Sequence, residues 1–240
     1  MKLIVPVLVV AGLLTGANVA KASVVYLDFE GIADHPNFDE VLILDYYLGG
    51  AAGNGSVGPD LGVAFSEGAT LLCLNTLDEP TCSNASRGDQ GIETSRLGGL
   101  YFPTDDPYVN VAAGFSTGFS LTYSNPFGDE VSVSIFSELG GAGELLASTM
   151  LGMTPNGFDA CPAYAADYCP FVDFGIAFDG IAKSVVFGGP AFFLAFDDLT
   201  FGSTTPGGEN GVPVPEPGTL LLLGAGLVAL GARRKRLEAR

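Results

Sequence analysis

Four carboxylates stand where they could do chemistry. Asp28 and Glu30 are two residues apart, which places both on one face of any strand that contains them. Asp197 and Asp198 are adjacent, inside a run of alternating apolar residues. Carboxylate oxygens are hard donors, and Ca²⁺ gathers such donors in flexible geometry. The chemistry these acids suggest is structural Ca²⁺ binding by Asp28, Glu30, Asp197 and Asp198. The pairs Asp105-Asp106 and Asp129-Glu130 fit ordinary turn chemistry better.

A second set could recognise a sugar. Tyr46, Tyr47, Tyr101, Phe102, Tyr108, Tyr164 and Tyr168 offer flat faces, mostly near loops, and the chain has no tryptophan. Tyrosine is also an ordinary strand residue, so packing is the competing reading for each. Catalysis finds less in the sequence. His35, in Asp34-His35-Pro36-Asn37, is the only histidine. With 27 acids in the chain, some pair will be spaced for glycoside hydrolysis, so their presence discriminates nothing. The expectation is a protein without catalytic residues, the alternative a secreted hydrolase acting on polysaccharide.

Cys73, Cys82, Cys161 and Cys169 complete the inventory. No Cys-x-x-Cys occurs and His35 has no cysteine nearby, which disfavours a zinc site. In an exported chain four cysteines read as disulfides, with three pairings open. The local pairs, Cys73 with Cys82 and Cys161 with Cys169, are preferred, each closing a short loop at a gain of about 2–3 kcal/mol.

These groups need a scaffold, and the pattern between them is that of strands. Val131, Val133 and Ile135 alternate with serines, and Phe119, Leu121 and Tyr123 with Ser120, Thr122 and Ser124. Residues 172–178, 23–29, 41–47, 61–65, 69–74, 109–115, 184–187 and 191–201 read as further strands, separated by Gly- and Pro-containing turns. The fold class is all-β, an antiparallel sandwich. Apolar residues hold even positions through Phe196 and odd ones from Leu199, and such a change of parity at Asp197-Asp198 is the mark of a β-bulge.

Charge is partitioned along the chain. Residues 23–213 hold 25 of the 27 acids and only Arg87, Arg96 and Lys183 as bases, about −22 in formal charge. Such a surface repels nucleic-acid phosphates and favours divalent cations or neutral partners. The ends are different. Met1-Lys2, an apolar run over 3–14 and Ala20-Lys21-Ala22 make a signal peptide of residues 1–22. Residues 203–213 read as a flexible linker between an ectodomain at 23–202 and a tail at 214–236. In that tail Pro215, Glu216 and Pro217 precede an apolar run over 218–232 and the basic cluster Arg233, Arg234, Lys235 and Arg236. Fifteen helical residues span about 22 Å, short of the ~30 Å hydrocarbon core, so the run suits a temporary stop better than a lasting anchor. The basic cluster stays cytoplasmic.

Val214-Pro-Glu-Pro-Gly-Thr219, the apolar run and Arg-Arg-Lys-Arg in that order resemble the PEP-CTERM sorting domain. The resemblance implies recognition by exosortase, transient residence in the inner membrane of a Gram-negative bacterium that makes exopolysaccharide, and delivery to the cell surface or beyond. Tyr26-Leu-Asp-Phe-Glu-Gly31 and Ala195-Phe-Asp-Asp-Leu-Thr-Phe201 resemble the jelly-roll, galactose-binding-like modules of such proteins. That likeness implies adjacent first and last strands, a structural Ca²⁺ between them, and extracellular polysaccharide as a partner.

Overall fold

The computed structural model describes residues 24–29, 32, 35–36, 40–76, 81–82, 96–156, 160, 167–168 and 170–208; for 35–36, 73–76, 81–82 and 96–98 it describes the backbone only. Among them are twelve strands: β1 (Val25–Leu27), β2 (His35–Pro36), β3 (Glu40–Leu42), β4 (Val63–Phe65), β5 (Thr70–Thr76), β6 (Thr81–Cys82), β7 (Arg96–Tyr101), β8 (Tyr108–Ser124), β9 (Ser132–Phe136), β10 (Leu145–Met150), β11 (Val172–Gly188) and β12 (Ala195–Phe201). Every pairing between them is antiparallel. The expected all-β antiparallel fold is the one the chain forms. Residues 1–22, the tail at 214–236 and its apolar run over 218–232 lie outside the described residues.

Two strands of 17 residues organise the layers. The sequence suggests separate strands at 109–115 and 119–123, and again at 172–178 and 184–187. Each pair is instead one continuous strand. β8 bends where Gly114 and Thr117 take φ of 78° and 75°, and β11 bends at Gly180, φ 97°. Glycine adopts this backbone without strain. Thr117 is held in it from its side chain, which donates to the Gly202 carbonyl at 2.9 Å.

On one side of the bends β11 pairs with β8 over 172–178 and 117–123, and β12 and then β7, β5 and β3 follow. On the other side β10, β9, the second half of β11, the first half of β8 and β4 lie in that order. The two stretches face each other across a phenylalanine core. Phe187 of one meets Phe196 and Phe102 of the other at ring-centroid distances of 4.7 and 5.2 Å, and Phe201 meets Phe115 and Phe119 at 5.2 Å each. All six rings are buried.

β12 is the middle of its layer. β8 runs along one edge of it, and the other edge is shared between β7, at Phe196, and β1, at Leu199–Phe201. The bulge expected in β12 is present. Asp197 faces Thr122 and Thr200 faces Ser120, so one extra residue of β12 is accommodated between them, and Asp198 sits there at φ 53°. The run expected over 191–201 begins later: residues 191–193 form a 3₁₀ turn, and the strand starts at Ala195. Likewise the strand expected over 41–47 ends at Leu42, because the chain turns at Leu44 (φ 49°) and buries Tyr46 and Tyr47.

After β12 the chain folds back over its own sheet. Gly202 N–H donates to the Gly118 carbonyl at 2.9 Å, and Gly207 N–H donates to Thr200 Oγ1 at 3.0 Å. Between them the chain passes so close to the sheet that a Cβ on Gly175 would lie 2.0 Å from the Thr204 carbonyl oxygen. Of the segment read as a linker, 203–213, residues 203–208 are described, and they make these contacts.

Candidate functional site

The register decides which of the four candidate acids meet. β1 lies beside β12 with Leu27 opposite Leu199, so Asp28 continues toward the Asp197-Asp198 bulge. Asp197 and Asp198 are 1% and 5% exposed. Burying two adjacent carboxylates is costly unless each is hydrogen-bonded. The bulge supplies the bonds. Asp198 Oδ1 accepts from the Tyr26 hydroxyl and Oδ2 from Thr122 Oγ1 at 3.3 Å. Asp197 Oδ1 accepts from the Asp198 N–H at 2.8 Å, and Thr200 Oγ1 donates to the Asp198 carbonyl at 2.9 Å. The carboxylate and carbonyl oxygens that accept these bonds are hard ligands of the kind Ca²⁺ takes. Among the described residues, however, no three Asp, Glu, His or Cys side chains are grouped closely enough to hold a metal ion. Glu30, the fourth candidate, lies outside them.

Tyr26 and Thr122 are not visible as partners in the sequence, since only the pairing register puts them beside Asp198. The remaining candidates lie elsewhere or beyond view. His35 is on β2, its backbone paired with Cys82, and its side chain is outside the described residues. Cys73 and Cys82 are on β5 and β6, again without described side chains, and Cys161 and Cys169 lie outside. Asp106 is a turn residue, as expected: its carboxylate accepts from the Gly189 N–H at 2.8 Å.

Tyrosines at differing depths give the domain an alkaline limit. Burial raises the hydroxyl pKa of Tyr26, Tyr46, Tyr47, Tyr101, Tyr123 and Tyr168, and nearby carboxylates add to it for Tyr26 and Tyr47, where Asp28 and Asp197 both contribute. A raised acid keeps its proton in the native state after the unfolded chain has lost it. Above the unfolded value of about 10 the native state therefore binds more protons, and stability falls as pH rises. For Tyr168, pushed up to about 12, the loss falls between about pH 10 and 12. Urea titrations should show a steady midpoint to about pH 9.5 and a steep decline above 10. A midpoint unchanged at pH 11 would contradict this account.

The aromatic candidates separate into core and surface. Tyr46, Tyr47 and Phe102 are buried, with Tyr46 and Tyr47 edge to face at 4.9 Å. They belong to the core and present no face to a ligand. Tyr101 and Tyr108 are half-buried, and Tyr164 lies outside the described residues. Tyr168 alone joins an aromatic surface, and its companions are residues the sequence does not single out. Phe127 and Phe193 are 54% and 45% exposed. The Phe127 ring stands 5.9 Å from Tyr168 and 6.3 Å from Phe193, nearly perpendicular to both at 83° and 73°. Phe192 lies against Phe193 at 4.3 Å, and exposed Met153 covers Gly128 beside them.

Three connections meet to make this surface: β8 to β9, β10 to β11, and β11 to β12. Asn125, fully buried, is the pedestal of the first. Its Oδ1 accepts from the N–H groups of Gly128 and Asp129 at 3.1 and 3.0 Å, and its Nδ2 donates to the Asp129 and Gly152 carbonyls at 3.0 and 3.4 Å. Its backbone N–H donates to Thr154 Oγ1 at 2.9 Å, tying the first connection to the second. Phe127 is thus held at the tip of a rigid turn with nowhere to bury its ring. Asparagine followed by Pro-Phe-Gly is the signal that could have shown this: an aromatic residue at a turn tip has no core to enter. Polar groups rim the rings, with Asn156 donating to Asp167 at 2.8 Å.

Comparison with known proteins adds the following. Residues 213–236 match the PEP-CTERM protein-sorting motif. No curated protein matches the chain in sequence. Among solved structures the chain is similar to a family 6 carbohydrate-binding module studied for its binding sub-sites, at 17% identity and a TM-score of 0.33, covering 59% of this chain and 92% of that one. It is similar also to a β-1,3-glucan binding module of that family from Bacillus halodurans (11%, TM-score 0.29, 59% and 95%). A third is a module from Clostridium stercorarium in complex with cellobiose (13%, TM-score 0.29, 47% and 79%). What the chain carries by sequence match is a PEP-CTERM protein-sorting motif, placed on the C-terminal side of an antiparallel β-sandwich domain.

Proposed function

We propose that this is an exported, non-catalytic binding module, sorted by exosortase acting at Pro215-Glu216-Pro217 and working at the cell surface or in an exopolysaccharide matrix. The observation that carries the binding role is the aromatic surface of Phe127, Tyr168 and Phe193. Two exposed phenylalanine rings and a half-buried tyrosine, from three connections, meet at the surface of a domain that buries most of its other phenylalanines. Apolar rings rimmed by amide and carboxylate groups suit a neutral sugar, whose C–H faces pack on aromatic planes while its hydroxyls take hydrogen bonds. The strongly acidic domain disfavours phosphate-bearing ligands and nucleic acid. Binding of the full chain to a glycan array, with retained spots that are neutral rather than anionic, is the expected result. A blank array would remove the binding role, and turnover of any retained polysaccharide would favour the hydrolase instead.

Structural Ca²⁺ at Asp28, Glu30, Asp197 and Asp198 is part of the proposal. It is supported by two adjacent buried carboxylates in a domain of high negative charge, where a divalent cation would relieve repulsion. The expected outcome is a melting temperature that rises by several degrees with millimolar Ca²⁺ and falls with EDTA. The same melting curve in both would show that Tyr26 and Thr122 satisfy Asp198 by themselves.

A further inference from the structure

The aromatic surface and the point where the chain leaves β12 lie at opposite ends of that strand. Ser124 of β8 pairs with Ala195 of β12, so Phe127 and Phe193 sit just beyond that end. Phe119 pairs with Phe201 at the other end, where the chain leaves through Gly202. The six steps from Ala195 to Phe201 separate the two by roughly 20 Å. The first strand enters at the leaving end as well, since Val25 pairs with Phe201.

We infer that the domain is a load-bearing link, in which a pull between a partner on the aromatic surface and the C-terminal tail runs along β12 and is met in shear, after residues 203–208 have first peeled away as a strap. The seat of the partner rests on the function proposed above; the mechanics do not. Drawn from Phe127, β8 is pulled at its 124 end while β12 is pulled at its 201 end, in opposite directions along paired strands. The hydrogen bonds of the pair then resist together. Drawn from the two chain ends, β1 and β12 are pulled apart at one shared end, and their bonds open one after another.

The strap lies across this path. Gly202 is bonded to Gly118, Gly207 to Thr200, and Gly208 N–H to the Thr205 carbonyl at 3.0 Å. Gly118 and Gly175 have no room for a side chain beneath it: a Cβ would lie 2.5 Å from the Thr204 methyl and 2.0 Å from its carbonyl oxygen, respectively. The strap is fixed by few bonds and loaded crosswise, so it opens before the sheet, as the least protected segments of a fold do. Its six residues release roughly 20 Å of chain.

Single-molecule pulling on the full chain tests this. One handle is attached through an azide-bearing residue at position 127 or at the N-terminus, the other at the C-terminus. The 127-to-C-terminus geometry should rupture at about twice the force of the N-to-C geometry or more, preceded by a short low-force step. Gly175→Val should remove the step and leave the main rupture in place. Should that variant fold poorly, Thr200→Val removes the Gly207 anchor with little change of volume and should do the same. Equal rupture forces in the two geometries, or a wild-type trace without the early step, would overturn the inference. Because the handle is covalent, a blank glycan array leaves this result untouched.

Discussion

Phe127→Ala is expected to weaken binding to any glycan the wild-type chain retains by one to two orders of magnitude, with little change in melting temperature. The ring is 54% exposed, so the folded protein gains little from it. A half-exposed phenylalanine offers roughly 100 Å² to a ligand, worth about 2.5 kcal/mol of apolar burial, and every 1.4 kcal/mol is about tenfold in affinity. Affinity electrophoresis in gels containing the retained polysaccharide would measure it. Ile181 is 64% exposed and lies beside Gly114, at the bend of β8 rather than at the aromatic end. Ile181→Ala should therefore leave migration unchanged. Equal retardation of the Phe127 variant and the wild type would separate the aromatic surface from glycan recognition.

Asn125→Ala should do more, because it removes the support as well as the fold's local satisfaction. The side chain, itself buried, makes four part-buried hydrogen bonds to the backbone of its own turn and of Gly152. Truncation removes all four; the Gly128 N–H keeps a second partner, the Asn125 carbonyl at 3.4 Å, and the cost is about 3 kcal/mol. For a domain of this size that is a fall of roughly 6–12 °C in melting temperature. Binding should fall at least as far as for Phe127→Ala, since the turn no longer fixes the ring. Asn125→Asp keeps both acceptors for the Gly128 and Asp129 N–H groups and loses the two donors, so it should lie between. Thermal unfolding and the same electrophoresis separate the two contributions. A melting temperature within a degree of wild type would mean that the turn is held by Thr154 alone.

The parts of this structure written in local periodicity were legible. The parity change at Asp197-Asp198 is a property of the sequence itself, and it became the bulge that sets Asp198 at positive φ. The alternations over 119–123 and 131–135 likewise gave strands with the expected residues buried. What periodicity cannot show is which strands continue through a bend. Ser116-Thr117-Gly118 reads as a turn between two strands, yet its neighbours on β11 keep it in one strand. β10 lacks alternation because most of its residues are exposed, and β7 is interrupted by Gly98-Gly99; neither strand announces itself.

The same division runs through the candidate sites. Tyr46 and Tyr47 look like loop tyrosines open to a ligand, but the turn at Leu44 folds them into the core, Tyr47 against Phe29 and Phe65 and Tyr46 against Tyr47. Phe127 and Phe193 look like a turn residue and a strand residue. Their exposure depends on three connections meeting at one end, a property of the chain path alone. For the acids, the pair at 197–198 was readable, while its partners Tyr26 and Thr122 follow from register.

The position of β12 has a consequence for how the protein is made. The strand that fills the middle of its layer is also nearly the last described segment to be synthesised, and among the described residues it is the only strand that β1 joins. Until residue 201 has emerged, β1 has no neighbour to pair with and the far edge of β8 is open where β12 will lie. Completion of this layer waits for contacts between the two ends of the described domain, which are slow to form. A nascent chain in that condition stays threadable, and a channel that passes only unfolded polypeptide would receive it in the state it requires.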